Sequence, residues 1–207
     1  MNSSRRCLLS IVILVAAAGC TPSVPLARGE QPALSRANQL ITDSALEQTN
    51  YTTGYDPSYA RIAYPGGDVP RETGVCSDVI IRAFRTAGVD LQKEVHEDMR
   101  VAFKAYPRRW GLTRPDANID HRRVLNLMVF FERKGKALPV SRSPEDYRPG
   151  DVVAWDLGGG VPHIGLVSTV ASERGGYHKV VHNIGAGTRL EDVLFSWTVI
   201  GHYRCFD

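Results

Sequence analysis

The chain has 207 residues, 43 % of them hydrophobic and 23 % charged, with a formal net charge of +3. That length and apolar content support one domain with a real core and exclude a disulfide-dense mini-scaffold, for which four cysteines are in any case few. No basic patch or recognition motif points to nucleic acid.

The chain opens with Arg5-Arg6 and an apolar run from Cys7 to Cys20. A charged start, an apolar middle and a small-residue exit are the marks of a secretory signal. The run is too short for a bilayer, which needs about 20 residues. Ala17-Ala18-Gly19-Cys20 resembles a bacterial lipobox, although Ala17 stands where Leu is commoner. That resemblance implies diacylglycerol on the Cys20 sulfur and Cys20 as the mature N-terminus. Ordinary cleavage after Ala16-Ala17-Ala18 is the alternative, and it gives a soluble periplasmic or secreted product. The absence of Asp at Thr21 resembles lipoproteins sent to the outer membrane. The expected organisation is a signal over 1–19, a proline-containing tether over 20–32 and a domain over 33–207. Loss of Arg5 and Arg6 takes the formal charge from +3 to +1.

Within the domain, residues 33–48 place Leu34, Ala37, Leu40, Ile41 and Ala45 on one helical face. Residues 50–74 are rich in turn formers, with Tyr51, Tyr55, Tyr59 and Tyr64 among them, and either line a cleft or pack under a long loop. A helix starts at Cys76 and ends near Gly88, its stripe running Cys76, Ile80, Ala83, Phe84 and Ala87. Another, over 89–103, carries Leu91, Val95, Met99 and Ala102. A third begins after Asp120, a good N-cap, and runs through the apolar segment 124–131 to Gly135, with Arg133 and Lys134 suited to its C-terminus.

After Pro149-Gly150 the period shortens to two. Segments 151–157, 162–170, 176–183 and 196–204 read as strands between glycine-rich turns, so the sheet is antiparallel or a small barrel. Helices first and strands second make the class α+β.

The chemistry centres on Cys76. A thiol becomes a nucleophile on losing its proton, and the unpaired N–H groups of a helix start favour the thiolate. Two histidines follow on strands, His163 and His182. Alternation puts His163, Gly165 and Val167 on one face, and His178, Val180 and His182 on one face of the next strand. Adjacent antiparallel strands then bring the two imidazoles side by side, His163 as base and His182 as its orienting partner. Gly165 leaves room beside the imidazole for a partner or substrate. Asp78, one turn into the helix, opposes a thiolate and reads as a salt-bridging residue. A disulfide between Cys76 and Cys205 is the rival use of the thiol, since an exported compartment permits one. Asp116, Asn118 and Asp120 read as turn and cap residues. His96, Asp98, His121 and His202 add ligand types but no metal-binding spacing, so neither metal nor cofactor is expected.

Tyr64-Pro-Gly-Gly-Asp-Val-Pro70, Gly74-Val-Cys76-Ser-Asp-Val-Ile, Pro149-Gly-Asp-Val-Val-Ala-Trp155, Pro162-His163-Ile-Gly-Leu and Val181-His182 resemble, in this order, the NlpC-type cell-wall cysteine peptidases. More closely the chain resembles the YijF-like family, an uncharacterised exported group placed near those peptidases. That likeness runs from Tyr55 to Tyr203 and includes Asp116-Ala-Asn-Ile-Asp-His-Arg-Arg and Gly201-His-Tyr-Arg. It implies a papain-like core with the nucleophile helix packed on the sheet and extra helices between Cys and His. It also implies Cys76 as nucleophile, His163 as base, His182 as third member and Tyr64 near the oxyanion. Val75 replaces the usual Asp, and Asp78 the usual Gly, around the cysteine.

The expectation is an exported, lipid-anchored cysteine hydrolase that cuts an amide of peptidoglycan, within the stem peptide. The residues themselves support thiol-based acyl transfer, and the resemblance supplies the substrate. A non-catalytic envelope module binding wall fragments, and an acyl or lipid transferase, are the alternatives. Oligomeric state is left open.

Overall fold

The computed structural model describes residues 33–207; the expected signal, Cys20 and the tether lie outside the described residues. Four α-helices precede a five-stranded sheet: α1 Arg36–Gln48, α2 Cys76–Thr86, α3 Leu91–Ala102, α4 Val124–Arg133, then β1 Val152–Asp156, β2 Pro162–Ala171, β3 His178–Asn183, β4 Thr188–Glu191 and β5 Thr198–Tyr203. The class is α+β, as expected.

Local chemistry sets the helix ends. Ser35 caps α1 by accepting the Asn38 N–H, and Asp90 caps α3 by accepting that of Gln92. Gly88, at φ +80°, closes α2, with the Val89 N–H returning to the Phe84 carbonyl at 3.0 Å. Asp120 is not the cap of α4. It lies in a preceding single turn, where its carboxylate accepts the Asp116 N–H and pairs with Arg123. In α1 the inward face is Asn38, Ile41, Thr42, Ala45 and Gln48, while Leu40 is exposed. Gln48 looks inward because its amide donates to the Val79 carbonyl of α2.

The sheet is open, not a barrel. Its order is β4-β3-β2-β1-β5 with every pair antiparallel, and β4 and β5 stand at opposite edges, so no ladder closes it. Alternation divides the strands between two cores. Val152, Ala154, Ile164, Leu166 and Val181 pack with the apolar faces of the four helices. Val153, Trp155, Val167 and Val180 face the other way, onto Tyr147 and Leu194. Nearly the whole of α2 from Cys76 to Phe84 is buried, because α1, α3, β2 and β3 surround it.

Candidate active site

The start of α2 is clamped from three directions. Asp78 reaches back to accept the Val75 N–H at 2.6 Å, and Arg122 binds both oxygens of the same carboxylate. The Ser77 hydroxyl donates to the Arg122 carbonyl at 2.6 Å, so the Cys-Ser pair is tied to the segment before α4. Arg122 also donates to the carbonyls of Asp56 and Ser58, and Asn183 on β3 donates to those of Gly54 and Gly74. Helix, loop and sheet thus hold the Cys76 backbone in one place.

The thiol sits at the rim of the sheet. Val167 donates its N–H toward β1, to the Asp151 carbonyl. Alternate residues address alternate edges, so the Ile164 N–H faces the β3 side. There the β2–β3 pairing has ended at Leu166↔Val181, and the Ile164 N–H is close enough to the Cys76 sulfur to favour its thiolate. The N–H groups of Cys76 and Ser77 favour the thiolate in the same sense. No side-chain hydrogen bond joins Cys76 to His163 among the described residues; the thiol meets the strand at the peptide linking His163 to Ile164.

The two histidines do meet. His163 Nε2 and His182 Nδ1 are 2.8 Å apart, both rings almost fully buried on the face of the sheet that Trp155 occupies. Trp155 stacks on His163 with centroids 5.7 Å apart, and Trp197 stands edge-on to both imidazoles at 6.0 Å. Glu191 of β4 brings Oε2 to 2.8 Å from His182 Nε2, an ion-pair distance, although off the line of a ring N–H.

Burial decides the charge states. It pushes the Cys76 thiol up to about 12; the Ile164, Ser77 and Cys76 N–H groups pull the other way, and Asp78 adds to the rise. Burial, with His182 adding to it, pushes His163 down to about 3. His182 is also lowered by burial, against an opposing pull from Glu191. Thiol and imidazole are therefore a neutral pair at neutral pH, not a preformed thiolate–imidazolium pair.

Tyr64 lies elsewhere. It is exposed and edge-on to His96 of α3, because its turn is pinned to that helix: Asp90 and Gln92 accept the N–H groups of Gly66 and Gly67. The tyrosine beside Cys76 is Tyr55, whose hydroxyl feels Cys76, Asp78 and Arg122. The room at Gly165 is taken by the partner histidine, not left for a substrate. A Cβ there would lie 2.7 Å from Val180 Cγ1 and 3.1 Å from both His182 and Trp155, so the absent side chain admits the histidine pair rather than a substrate. Cys76 and Cys205 are both free thiols. Cys205 borders a cavity of about 390 Å³ with Phe84 and Gly88 at the far end of α2, about 12 Å along the axis from Cys76. A disulfide spans less than about 7 Å between Cα atoms.

No sequence pattern marks Arg122 or Glu191 as part of the site. Arg122 lies within the Asp-His-Arg-Arg segment but 44 residues from Asp78, and Glu191 is on a strand too short and polar to show a period.

Fold and site together define an α+β protein in which a helix-start thiol abuts a strand carrying one of two hydrogen-bonded histidines. Residues 42–205 match the family described as a domain of unknown function, DUF1287. The chain is also 55 % identical over 172 residues to the uncharacterized protein YijF of Escherichia coli (strain K12), with 83 % of each covered. It belongs to the DUF1287 family.

Proposed function

We propose that this protein is an exported cysteine hydrolase with a papain-like, NlpC-type core, acting on an amide in the stem peptide of peptidoglycan. The observation that carries the reading is the arrangement at the rim of β2: a helix-start thiol whose charged form three backbone N–H groups favour, beside the strand of a histidine that lies 2.8 Å from a second histidine. The order of motifs along the chain supplies the substrate class, and the lipobox-like start supplies the location, a lipid anchor facing the periplasm.

Because both groups are neutral, the reading implies general-base catalysis rather than a standing ion pair. His163 Nδ1 takes the Cys76 proton as the sulfur attacks the amide carbon, and the carbonyl electron pair moves to oxygen. The Cys76 backbone N–H helps hold that oxyanion. Collapse expels the amine, which receives the proton from His163 and leaves a thioester. Water, deprotonated by His163, attacks the thioester; the acyl group departs as a carboxylic acid and the sulfur regains its proton.

One observation favours a second reading. Cys76 is only 6 % exposed, as a non-catalytic envelope module on this fold would allow. Muropeptide analysis of sacculi treated with wild type and Cys76→Ala separates the two. New amine and carboxylate ends with wild type alone support the hydrolase; identical products from both remove it. An acyl transferase leaves no new carboxylate.

A further inference from the structure

The proton positions in the two rings follow from one carboxylate. Glu191 Oε2 stands 2.8 Å from His182 Nε2, and His182 Nδ1 stands 2.8 Å from His163 Nε2. An ionised carboxylate only accepts, so beside it His182 carries its proton on Nε2 and keeps Nδ1 as a lone pair. That lone pair accepts, so His163 carries its proton on Nε2. The remaining nitrogen of His163 is then Nδ1, unprotonated. Remove the carboxylate and the chain of donors can run the other way, placing a proton on His163 Nδ1.

We propose that Glu191 is a positioning residue that sets the tautomers of His182 and His163 in series, so that His163 presents Nδ1 as a base. This deepens the hydrolase reading and rests on it for its purpose, not for its test. Glu191 is suited to the task. Its side chain is 44 % exposed, which leaves it free to turn into line with the ring N–H. The other groups around His182 do not compete. Arg189, its register partner on β4, donates to the Ala186 carbonyl; Trp155 and Trp197 are uncharged; His163 is the only titratable group facing it from β2. When His163 takes a proton, the same series lets Glu191 balance the new charge through His182.

Long-range proton–nitrogen NMR of the full chain, with ¹⁵N-labelled histidine at pH 7.5, reads each tautomer directly and needs no substrate. Assignment comes from single histidine substitutions. In wild type both rings are expected as single Nε2–H tautomers, each with two well-separated nitrogen resonances. Glu191→Gln keeps an acceptor oxygen and the same pattern. Glu191→Ala is expected to lose it, the nitrogen resonances of both rings converging toward a tautomer average. A proton on His163 Nδ1 in wild type, or an unchanged pattern in Glu191→Ala, overturns the proposal. Neither result depends on whether muropeptides are cut, so the two proposals fail separately.

Discussion

Arg122 grips both carboxylate oxygens of Asp78, Nε to Oδ1 and Nη2 to Oδ2, each at 2.9 Å. The two side chains are almost wholly buried, and 44 residues separate them in sequence. Without its partner Asp78 becomes an uncompensated buried charge beside the thiol. Arg122→Met is therefore expected to lower unfolding free energy by about 3–5 kcal/mol in urea titrations, and pairing it with Asp78→Leu to recover a large part. A single-variant loss below about 1 kcal/mol would show that the pair is solvated.

Cys76 is expected to lack the acid-side reactivity plateau of a thiolate–imidazolium pair. Its thiol sits at about 12 because burial outweighs the surrounding N–H groups. Iodoacetamide alkylation of the native protein should be slower at pH 7 than that of an ordinary thiol near 8.5, and should climb steadily with alkalinity. A fast, flat rate between pH 5 and 8 would mean that the ion pair forms after all.

Acid should destabilise the fold through two histidines. Burial holds His163 at about 3 and His121, with Arg122 adding to the effect, at about 4, against about 6.5 in the unfolded chain. Below pH 6.5 the unfolded chain binds protons that the folded one refuses, so stability is complete above that value and declines as pH falls toward 4 and 3. Each contributes about 2.5–3 kcal/mol of loss at pH 4.5. His121→Leu should flatten the decline in Tm between pH 7 and 4.5; an unchanged slope would show that His121 is not responsible.

Gly165→Ala tests the crowding beneath the histidines. The new methyl meets Val180 at 2.7 Å and has no outlet, since Trp155 and His182 close the other sides. Overpacking of this kind lowers stability by about 1–3 kcal/mol. Differential scanning calorimetry with histidine NMR should show a lower Tm and displaced His182 signals together; an unaltered Tm would mean that the sheet yields at no cost.

Cys205→Ser should leave the folding of α2 undisturbed, and dithiothreitol should not move Tm, because Cys76 and Cys205 lie at opposite ends of that helix. A drop in Tm under reduction would reveal a bridge.

The helices and four of the strands were legible because their apolar periods are long. Stripes such as Leu91, Val95 and Met99, or Ile164 and Leu166, report the face each element buries. β4 was missed: Thr-Arg-Leu-Glu offers four residues and little alternation, and its place in the sheet comes from pairing with β3. The pairing of His163 with His182 was readable from strand alternation. The loop path that puts Tyr55 rather than Tyr64 near the thiol was not, since it depends on hydrogen bonds from Gly66 and Gly67 to α3. The open edge of the sheet was equally hidden, because alternation is the same in a sheet and a barrel.

Trp155 and Trp197 bracket the imidazole pair, whereas the third tryptophan, Trp110, stands apart under the guanidinium of Arg123. A charged imidazolium quenches indole emission more strongly than a neutral ring does. The protein therefore carries its own optical indicator: protonation at the histidine pair, whether by acid or by a transfer from Cys76, dims the two indoles that enclose it and leaves the third alight.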